Sequence, residues 1–219
     1  MSPERYARLK QTLDNRQLDL TVVMENVHKP HNFAAIVRSC EAVGVAQAHA
    51  MVREGHMSKH AHTSAGSSKW VKVDSYNNID EPFDKLRGQG YQLLTAHLDD
   101  NAVDFREIDY TQPTAIVMGS ELHGISDHAA KIADQSIVIP MMGLTESLNV
   151  SVATALILFE AQRQRQAAGM YGKSQIDPET YANTLFEWCY PVIAKHCREK
   201  GRPYPKLDED GYLPAKALG

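Results

Sequence analysis

Residues 137–160, IVIPMMGLTESLNVSVATALILFE, join a strand pattern to a helix pattern through a polar loop. The first three residues are a β-branched run that Pro140 closes, which is typical of the end of a buried strand because proline cannot donate to the ladder. Ser147 or Asn149 can cap the helix that follows. That helix is apolar on almost all sides, so we expect it to be buried. Taken alone, the stretch is an ordinary strand-loop-helix connection with a polar cap.

The rest of the chain alternates strand patterns with helix patterns. This alternation predicts an α/β fold with a mainly parallel sheet. A helix pattern at residues 3–18 precedes the alternation, and a helix or helix pair, kinked or divided at Pro191, follows it. We therefore expect three parts: a basic helical arm at 1–19, a central domain at 20–168, and a helical extension with a tail at 169–219. The predicted strands of the central domain cover residues 20–27, 48–52, 70–76, 91–96, 114–118 and 137–139.

The net charge of -4 hides an asymmetry along the chain. Residues 1–72 contain 10 Lys and Arg against 6 Asp and Glu, residues 73–146 contain 4 against 13, and residues 147–219 contain 9 against 8. A polyanion can therefore dock on the terminal parts while the acidic middle faces away, because local charge governs steering more than total charge does. An uneven surface that is merely solvated is the alternative that these counts leave open.

The cysteines and histidines give no sign of a disulfide framework or a metal centre. His56 and His60 can share one helix face, but no nearby carboxylate or cysteine completes a ligand set, so we expect no metal. The sequence begins with a polar, basic segment and contains no run of about 18 apolar residues, so we expect no membrane partner and a cytoplasmic protein. Reduced thiols are expected because the three cysteines are scattered: Cys40, Cys189 and Cys197.

Two further connections from a strand to a helix contain candidate functional residues. Together with residues 137–160, they are called the three corners. Residues 31–45, HNFAAIVRSCEAVGV, place Asn32 where it can cap a new helix and Arg38 six positions later, about 120° around the axis. Residues 116–126, IVMGSELHGIS, place Glu121 between two glycines, where backbone can approach a ligand closely. Each pattern is weak alone, since a surface arginine with no role is common. The fingerprints G-x-G-x-x-G, Walker A and G-x-S-x-G are absent.

Together, the three corners resemble, in order and spacing, the three motifs of the SpoU-type RNA 2'-O-ribose methyltransferases of the SPOUT superfamily. The resemblance covers about residues 20–168, and the flanking helices resemble those of the family's tRNA guanosine enzymes. It implies an S-adenosylmethionine-dependent enzyme that methylates the ribose 2'-hydroxyl of guanosine 18 in the D-loop of tRNA. Methylation of another tRNA or rRNA ribose, or a non-catalytic RNA-binding module, is the alternative.

The resemblance also implies a trefoil knot near the C-terminal end of the catalytic domain, and a homodimer whose active site forms near the subunit interface. By position in the motifs, it implies that the functional residues are Asn32, Arg38, Glu121, Ser147 and Asn149. It implies that the cofactor is held, mostly by backbone, at Thr95, Ala96, His97, Gly119, Ile139, Met141 and Leu148.

The chemistry requires that a proton leave the ribose 2'-hydroxyl. The base proposed for the family is the arginine, here Arg38, but a guanidinium stays protonated in proteins. We therefore expect Arg38 to bind the adjacent phosphate and stabilise the developing alkoxide, while phosphate or water accepts the proton. In this hypothesis Asn32 orients Arg38, and Glu121 fixes the loop and the cofactor. Ser147 and Asn149 shape the pocket that brings ribose and methyl group together.

Basic residues outside the motifs complete the predicted RNA-binding surface. They lie in the N-terminal arm, in the histidine-containing loop at 53–70 and at the end of the long helix. An arm that packs on the domain or on a second subunit is an equally good interpretation of residues 3–18. The predicted RNA contacts are Arg8, Lys10, Arg38, Arg53, Lys59, Arg163 and Arg165.

Overall fold

The fold was obtained as a computed structural model that describes residues 1–51 and 69–214. Two compact units are present: residues 17–169, and residues 1–16 together with the chain from Met170 onward. Most of the predicted loop at 53–70, including Arg53 and Lys59, lies outside the described residues. The domain boundaries expected at 19/20 and 168/169 stay predictions.

A parallel sheet forms the centre of the larger unit. Its strand order is β3-β2-β1-β6-β4-β7-β5, and every adjacent pair in the described residues is parallel. The prediction of an α/β fold with a mainly parallel sheet is therefore confirmed. The short β5 lies in an acidic connection for which no strand was predicted. The strands are β1 (Leu20–Glu25), β2 (Gln47–Met51), β3 (Lys72–Tyr76), β4 (Gln92–Ala96), β5 (Val103–Asp104), β6 (Thr114–Met118) and β7 (Gln135–Val138).

Helices cover both faces of this sheet, so its middle strands are buried from solvent. Every residue of β1 and β6 is buried, as expected of strands packed on both faces. Because side chains alternate along a strand, Val22 and Met24 enter one hydrophobic cluster, while Val23 enters the other. The α-helices in the described residues of the larger unit are α2 (Pro30–Ala42), α3 (Asp80–Gly88), α4 (Asp127–Ile132) and α5 (Val150–Ala167).

The start of α2 differs from the prediction that Asn32 caps it. Lys29 is the N-cap residue and Pro30 occupies the first turn, where its fixed φ and missing N–H are tolerated. Asn32 lies inside the first turn and is only 2% exposed. Its side-chain amide is therefore not used for capping and is available to other groups.

The helix α5 begins where the sequence allowed, with Asn149 rather than Ser147 as its cap. Asn149 Oδ1 accepts a hydrogen bond from the backbone N–H of Ser151 at 2.9 Å, which satisfies one of the free donors of the first turn. Asn149 thus fixes the start of the helix.

The expectation that α5 is buried holds for only one face of the helix within a single chain. Ile157, Leu158 and Ala161 are buried against α2 and the sheet. Val152, Leu156 and Phe159 are 48%, 44% and 50% exposed, and their spacing places them on one face of the helix. The chain therefore leaves an apolar face uncovered, although the sequence of α5 is apolar almost all round.

The smaller unit is helical. It contains α1 (Pro3–Asp14), α6 (Pro178–Cys189) and α7 (Pro191–Glu199), so the predicted division of the C-terminal helix pair at Pro191 is confirmed. Tyr181 donates a hydrogen bond to Asp14 Oδ1 at 2.9 Å, which joins α6 to α1. In the described part of the chain, no helix is long and apolar enough to cross a membrane. The buried residues of these helices are Leu9, Leu13, Leu185, Phe186, Cys189, Ala194 and Cys197.

Candidate active site

The polar side chains of the three sequence corners meet beyond the carboxyl ends of neighbouring strands. The chain leaves β1 toward α2, leaves β6 toward α4, and leaves β7 toward α5, while β4 ends beside them in the sheet. In open α/β sheets, this edge is where ligands bind. The fold therefore places the three predicted motifs at one site.

Glu121 lies at the centre of this site. Its Oε1 accepts hydrogen bonds from Asn32 Nδ2 at 2.5 Å and from Asn149 Nδ2 at 2.7 Å. Lys29 Nζ forms an ion pair with Oε2. The carboxylate thus joins the loop after β6 to the start of α2 and to the cap of α5.

A tight loop presents Glu121. The backbones of Ser120 and Gly124 form two hydrogen bonds with each other, with N to O distances of 3.0 and 2.8 Å, and Gly124 adopts a positive φ of 64°. The C-terminal end of this loop is bound to β1, because Glu25 accepts hydrogen bonds from the backbone N–H and the hydroxyl of Ser126 at 2.9 and 2.6 Å. The loop that carries Glu121 is held at both ends.

Gly119 lies where the backbone of this loop passes closest to itself. A Cβ atom at Gly119 would stand 2.1 Å from the carbonyl carbon of Gly124 and 2.4 Å from Ile125 N. Since those are backbone atoms, they cannot move aside as the end of a side chain can. The absence of a side chain at Gly119 is therefore a requirement of the loop geometry.

The first of two adjoining cavities has a volume of about 230 Å³ and contains most of the predicted cofactor residues. Its walls are formed by the residues that follow β4 and β6 and by the segment from β7 to α5. Ser147, predicted as a functional residue, also lines it. Of the predicted cofactor residues, those that line the cavity are Ala96, His97, Gly119, Ile139, Met141 and Leu148.

Thr95 is the predicted cofactor residue that does not line this cavity. It is completely buried, and its hydroxyl lies 3.2 Å from Ser136 Oγ. Ser136 in turn donates to Asp99 Oδ2 at 2.5 Å, and that hydrogen bond lowers the pKa of Asp99. The side chain of Thr95 thus connects β4 to β7 beneath the site.

The second cavity, of about 350 Å³, adjoins the first at Glu121, which lines both. It shares with the first cavity Ser120, Glu121, Gly124 and Val150. Its other walls include Lys29 and its neighbours between β1 and α2, Asn32 in the first turn of α2, and Leu122 and His123 of the loop after β6. A ligand in either cavity would therefore face the same carboxylate.

Arg38 is not brought to these cavities within one chain. It is exposed and lines a separate open cleft with Pro30, His31, Ala34 and Ala35. Among the described residues it forms no hydrogen bond or ion pair. Asn32 and Arg38 therefore face different sides of α2, and no contact by which Asn32 would orient Arg38 exists within the chain.

The prediction that Arg165 contacts RNA is corrected by its burial. Arg165 is fully buried, and its guanidinium forms an ion pair with Asp19. It also donates to Gln17 Oε1 at 3.0 Å and to the carbonyl oxygens of Tyr110 and Gln112 at 2.8 and 3.0 Å. These contacts use its donors inside the protein, so it cannot reach a phosphate.

Of the other predicted RNA contacts, those that lie in the described residues are exposed on the surface. Arg163 is 67% exposed and pairs with Glu160 at 2.7 Å. Arg8 and Lys10 are exposed on α1. Their roles stay predictions.

The sequence reasoning gave Lys29 no role, although it contacts Glu121. The available signal was its position directly before Pro30, three residues from Asn32. A lysine before a proline at a helix start carries no specific meaning in sequence, so only the fold identifies its partner.

In the part of the chain that the structure describes, no group of three or more His, Cys, Asp or Glu residues could hold a metal ion.

Comparisons with known proteins agree with this geometry. Residues 19–159 match the SpoU rRNA Methylase family, and residues 163–216 match the C-terminal model described as SpoU, rRNA methylase, C-terminal. The chain therefore belongs to the SpoU methylase family. It is 52% identical, over 99% of its length and 96% of the relative's, to the tRNA (guanosine(18)-2'-O)-methyltransferase of Escherichia coli K12.

Two solved structures extend the likeness. The crystal structure of the A. aeolicus TrmH/SpoU tRNA modifying enzyme superposes with a TM-score of 0.79 at 43% identity, covering 87% of this chain and 97% of that one. The SpoU methyltransferase AviRb from Streptomyces viridochromogenes, solved in complex with the cofactor AdoMet, gives a TM-score of 0.61 at 25% identity, covering 70% of this chain and 62% of that one. The fold and the family thus agree with the motif resemblance.

Proposed function

We propose that this chain transfers a methyl group from S-adenosylmethionine to the ribose 2'-hydroxyl of guanosine 18 in the D-loop of tRNA. The observation that carries the proposal is the position of Glu121 between two cavities, held by Asn32 and Asn149 from the other two motifs. A relative that covers nearly the whole chain at 52% identity has this activity in its name.

The first cavity fits the proposed cofactor. Leu148, Ile139 and Val150 supply an apolar wall for an adenine ring, and the backbone that follows β4 and β6, at His97 and Gly119, lies at the polar side of the cavity. Such a mixture of an apolar lining and a few polar groups suits a nucleoside ligand. When bound, the cofactor supplies an electrophilic methyl group on a sulfonium centre.

The second cavity is the proposed site of the acceptor nucleotide. It shares the Glu121 wall with the cofactor cavity, so a ribose there would approach the methyl group from the other side. Asn32 and Asn149 hold Glu121 through its Oε1, and this fixed carboxylate orients the groups on either side of it. Holding both reactants in one geometry supplies much of the rate enhancement of a bimolecular transfer.

A homodimer completes this site in the proposal. The exposed apolar face of α5, at Val152, Leu156 and Phe159, supports burial against a second copy. The separate position of Arg38 supports the same conclusion, because its cleft does not include Glu121. An Arg38 from the second copy would supply the positive charge that binds phosphate and stabilises the developing alkoxide, while phosphate or water takes the proton.

Further features belong to the same proposal. We expect the segment from β6 through α5 to form the trefoil knot, because family membership implies it. Arg8, Lys10 and Arg163 are exposed and can bind tRNA phosphates. A cytoplasmic location accords with a tRNA substrate.

Labelled-methyl transfer to tRNA transcripts, followed by mapping of the modified nucleoside, tests the function. We expect label at guanosine 18 and none in a transcript in which that guanosine is replaced. Methylation that is undiminished by the replacement would contradict the proposed position. Binding of tRNA without any methyl transfer would favour a non-catalytic RNA-binding module.

A further inference from the structure

We propose that Lys29 is a positioning residue for methyl transfer, which fixes the orientation of the Glu121 carboxylate from the side of the acceptor cavity. This inference rests on the proposed function. Lys29 acts through Glu121, with no direct part in bond making.

The backbone of Lys29 is well fixed. As N-cap of α2, its carbonyl oxygen accepts hydrogen bonds from the backbone N–H groups of Asn32 and Phe33, both at 3.1 Å. Its Nζ contacts Glu121 Oε2, and both side chains line the second cavity. The 13-residue helix α2 therefore sets the point from which the ammonium group reaches the carboxylate.

The donors around Glu121 divide between its two oxygens. Asn32 and Asn149 both donate to Oε1, and among the described residues only Lys29 contacts Oε2. The last torsion of a glutamate side chain is broad. Two donors on one oxygen leave the carboxylate free to rock about that oxygen, so the contact to Oε2 is what fixes its plane.

We expect the loss of this ion pair to lower the methyl-transfer rate and to change the stability of the fold very little. The Lys29 side chain is 54% exposed and that of Glu121 is 22% exposed, and ion pairs that water reaches add little to stability. Lys72 and Asp74 form a matched pair at 3.0 Å, with side chains 70% and 22% exposed. That pair lies on β3 and lines neither site cavity, which makes Lys72 the control.

The experiment compares Lys29→Met, Lys29→Arg and Lys72→Met in the full-length protein. Single-turnover and steady-state methylation of tRNA, calorimetric affinity for S-adenosylmethionine and thermal unfolding are measured for each. We expect Lys29→Met to lower the methyl-transfer rate at least about tenfold, with KM for tRNA and cofactor affinity changed less than about threefold. Lys29→Arg should recover most of the rate, and Lys72→Met should match wild type in every readout.

A double-mutant cycle with Glu121→Gln tests whether Lys29 acts through Glu121. We expect Lys29→Met to cause no further loss in the Glu121→Gln background, because the carboxylate that it positions is already gone. The proposal is overturned by an unchanged rate in Lys29→Met, by losses that multiply in the double variant, or by a change confined to KM, which would assign Lys29 to RNA binding. A wild-type protein that methylates no tRNA would instead overturn the proposed function.

Discussion

Asn32 and Asn149 lie 117 positions apart in the sequence, yet Asn149 Nδ2 donates to Asn32 Oδ1 at 3.2 Å and both amides donate to the same oxygen of Glu121. Asn149 also caps α5 through its Oδ1. The oxygen of this one side chain therefore caps a helix, while its nitrogen binds the Glu121 carboxylate. These two tasks can be separated by substitution.

Asn149→Ser should separate stability from catalysis. Serine is a good N-cap, so the free energy of unfolding should stay within about 0.5 kcal/mol of wild type. Its short hydroxyl cannot reach Glu121, and we expect the methyl-transfer rate to fall at least about tenfold, as when a positioning contact is lost. Chemical denaturation and single-turnover methylation are the measurements.

Asn149→Ala is the matched comparison, because alanine removes both contacts. It should lose about 1 kcal/mol of stability through the missing cap, while its methylation rate should resemble that of Asn149→Ser. Equal stability losses in the two variants, or wild-type methylation by Asn149→Ser, would contradict this division of tasks.

Much of the fold was predictable because the local signals agree with one another. The strand β6 was predicted at residues 114–118 and observed there, since a short β-branched run between a proline and a glycine leaves few alternatives. The burial of α5 was misjudged because composition does not show which apolar face the same chain covers. Val152 and Ile157 look alike in sequence and differ only in what packs against them.

The site was predictable only in part, and for a related reason. Asn32, Glu121 and Asn149 were identified through their place in three linked motifs, and the fold brings them together. Arg165 was predicted to contact RNA because a basic helix end usually faces solvent. In the structure it is fully buried and donates to five acceptor atoms from distant segments of the chain. Such convergence of acceptors has no local signature.

Gly119→Ala should damage the loop that presents Glu121. The new Cβ would meet backbone atoms of Gly124 and Ile125 at 2.1–2.4 Å, so the loop must shift. We expect a loss of about 1–3 kcal/mol of stability, as for other overpacked sites, and weaker binding of S-adenosylmethionine by calorimetry. Gly88→Ala, where a Cβ meets no atom within 4 Å, is the control and should leave cofactor binding unchanged. Wild-type affinity in Gly119→Ala would show that this close approach is not needed.

Arg165 and Arg163 should differ sharply in their effect on stability. Arg165→Met removes a fully buried guanidinium and leaves the carbonyl oxygens of Tyr110 and Gln112, and the 29% exposed side chain of Asp19, without their donor, which should cost about 3 kcal/mol. Arg163→Met removes a 67% exposed side chain from its pair with Glu160, which keeps its hydrogen bond from Gln164, and should cost less than about 1 kcal/mol. Urea denaturation followed by circular dichroism measures both. A similar small loss in both variants would refute the structural role of Arg165.

His49 should make the protein less stable as the pH falls below neutrality. Burial lowers the pKa of His49 to about 4 from its usual 6.5 in the folded protein, and Lys85 adds to this effect. The His49 ring lies against Tyr76, with 3.1 Å between Nδ1 and the phenol oxygen. Between these two pH values the unfolded chain binds a proton that the folded chain does not, so stability decreases as the pH decreases, by at most about 1.4 kcal/mol per pH unit.

The variant His49→Gln isolates this contribution. Unfolding free energies measured between pH 7 and pH 4 should show a shallower decline for the variant than for wild type, because glutamine takes up no proton. Other titrating groups are common to both proteins and cancel in the difference. Parallel curves across this range would mean that His49 titrates normally in the folded state.

Mixing two inactive variants should restore activity if Arg38 and Glu121 of one site come from different copies. Arg38→Ala removes the charge in the separate cleft, and Glu121→Gln removes the carboxylate between the cavities. We expect each variant alone to be nearly inactive. In a mixed dimer, one site would combine the intact Arg38 of one copy with the intact Glu121 of the other, and the second site would lack both groups.

One of the two sites in a mixed dimer is intact, so the purified mixed dimer should reach about one half of the wild-type activity. Random assortment makes only half of all dimers mixed, so the unfractionated mixture should reach about one quarter. Exchange is achieved by co-expression of two differently tagged chains, and the mixed dimer is purified through both tags before methylation is measured. A mixture of Asn149→Ala and Glu121→Gln is the control, because Asn149 and Glu121 are in contact within one chain; each site would then carry one defect and stay impaired. An inactive Arg38→Ala and Glu121→Gln mixed dimer would show that both residues act within a single copy, which would require α2 to rearrange on binding tRNA.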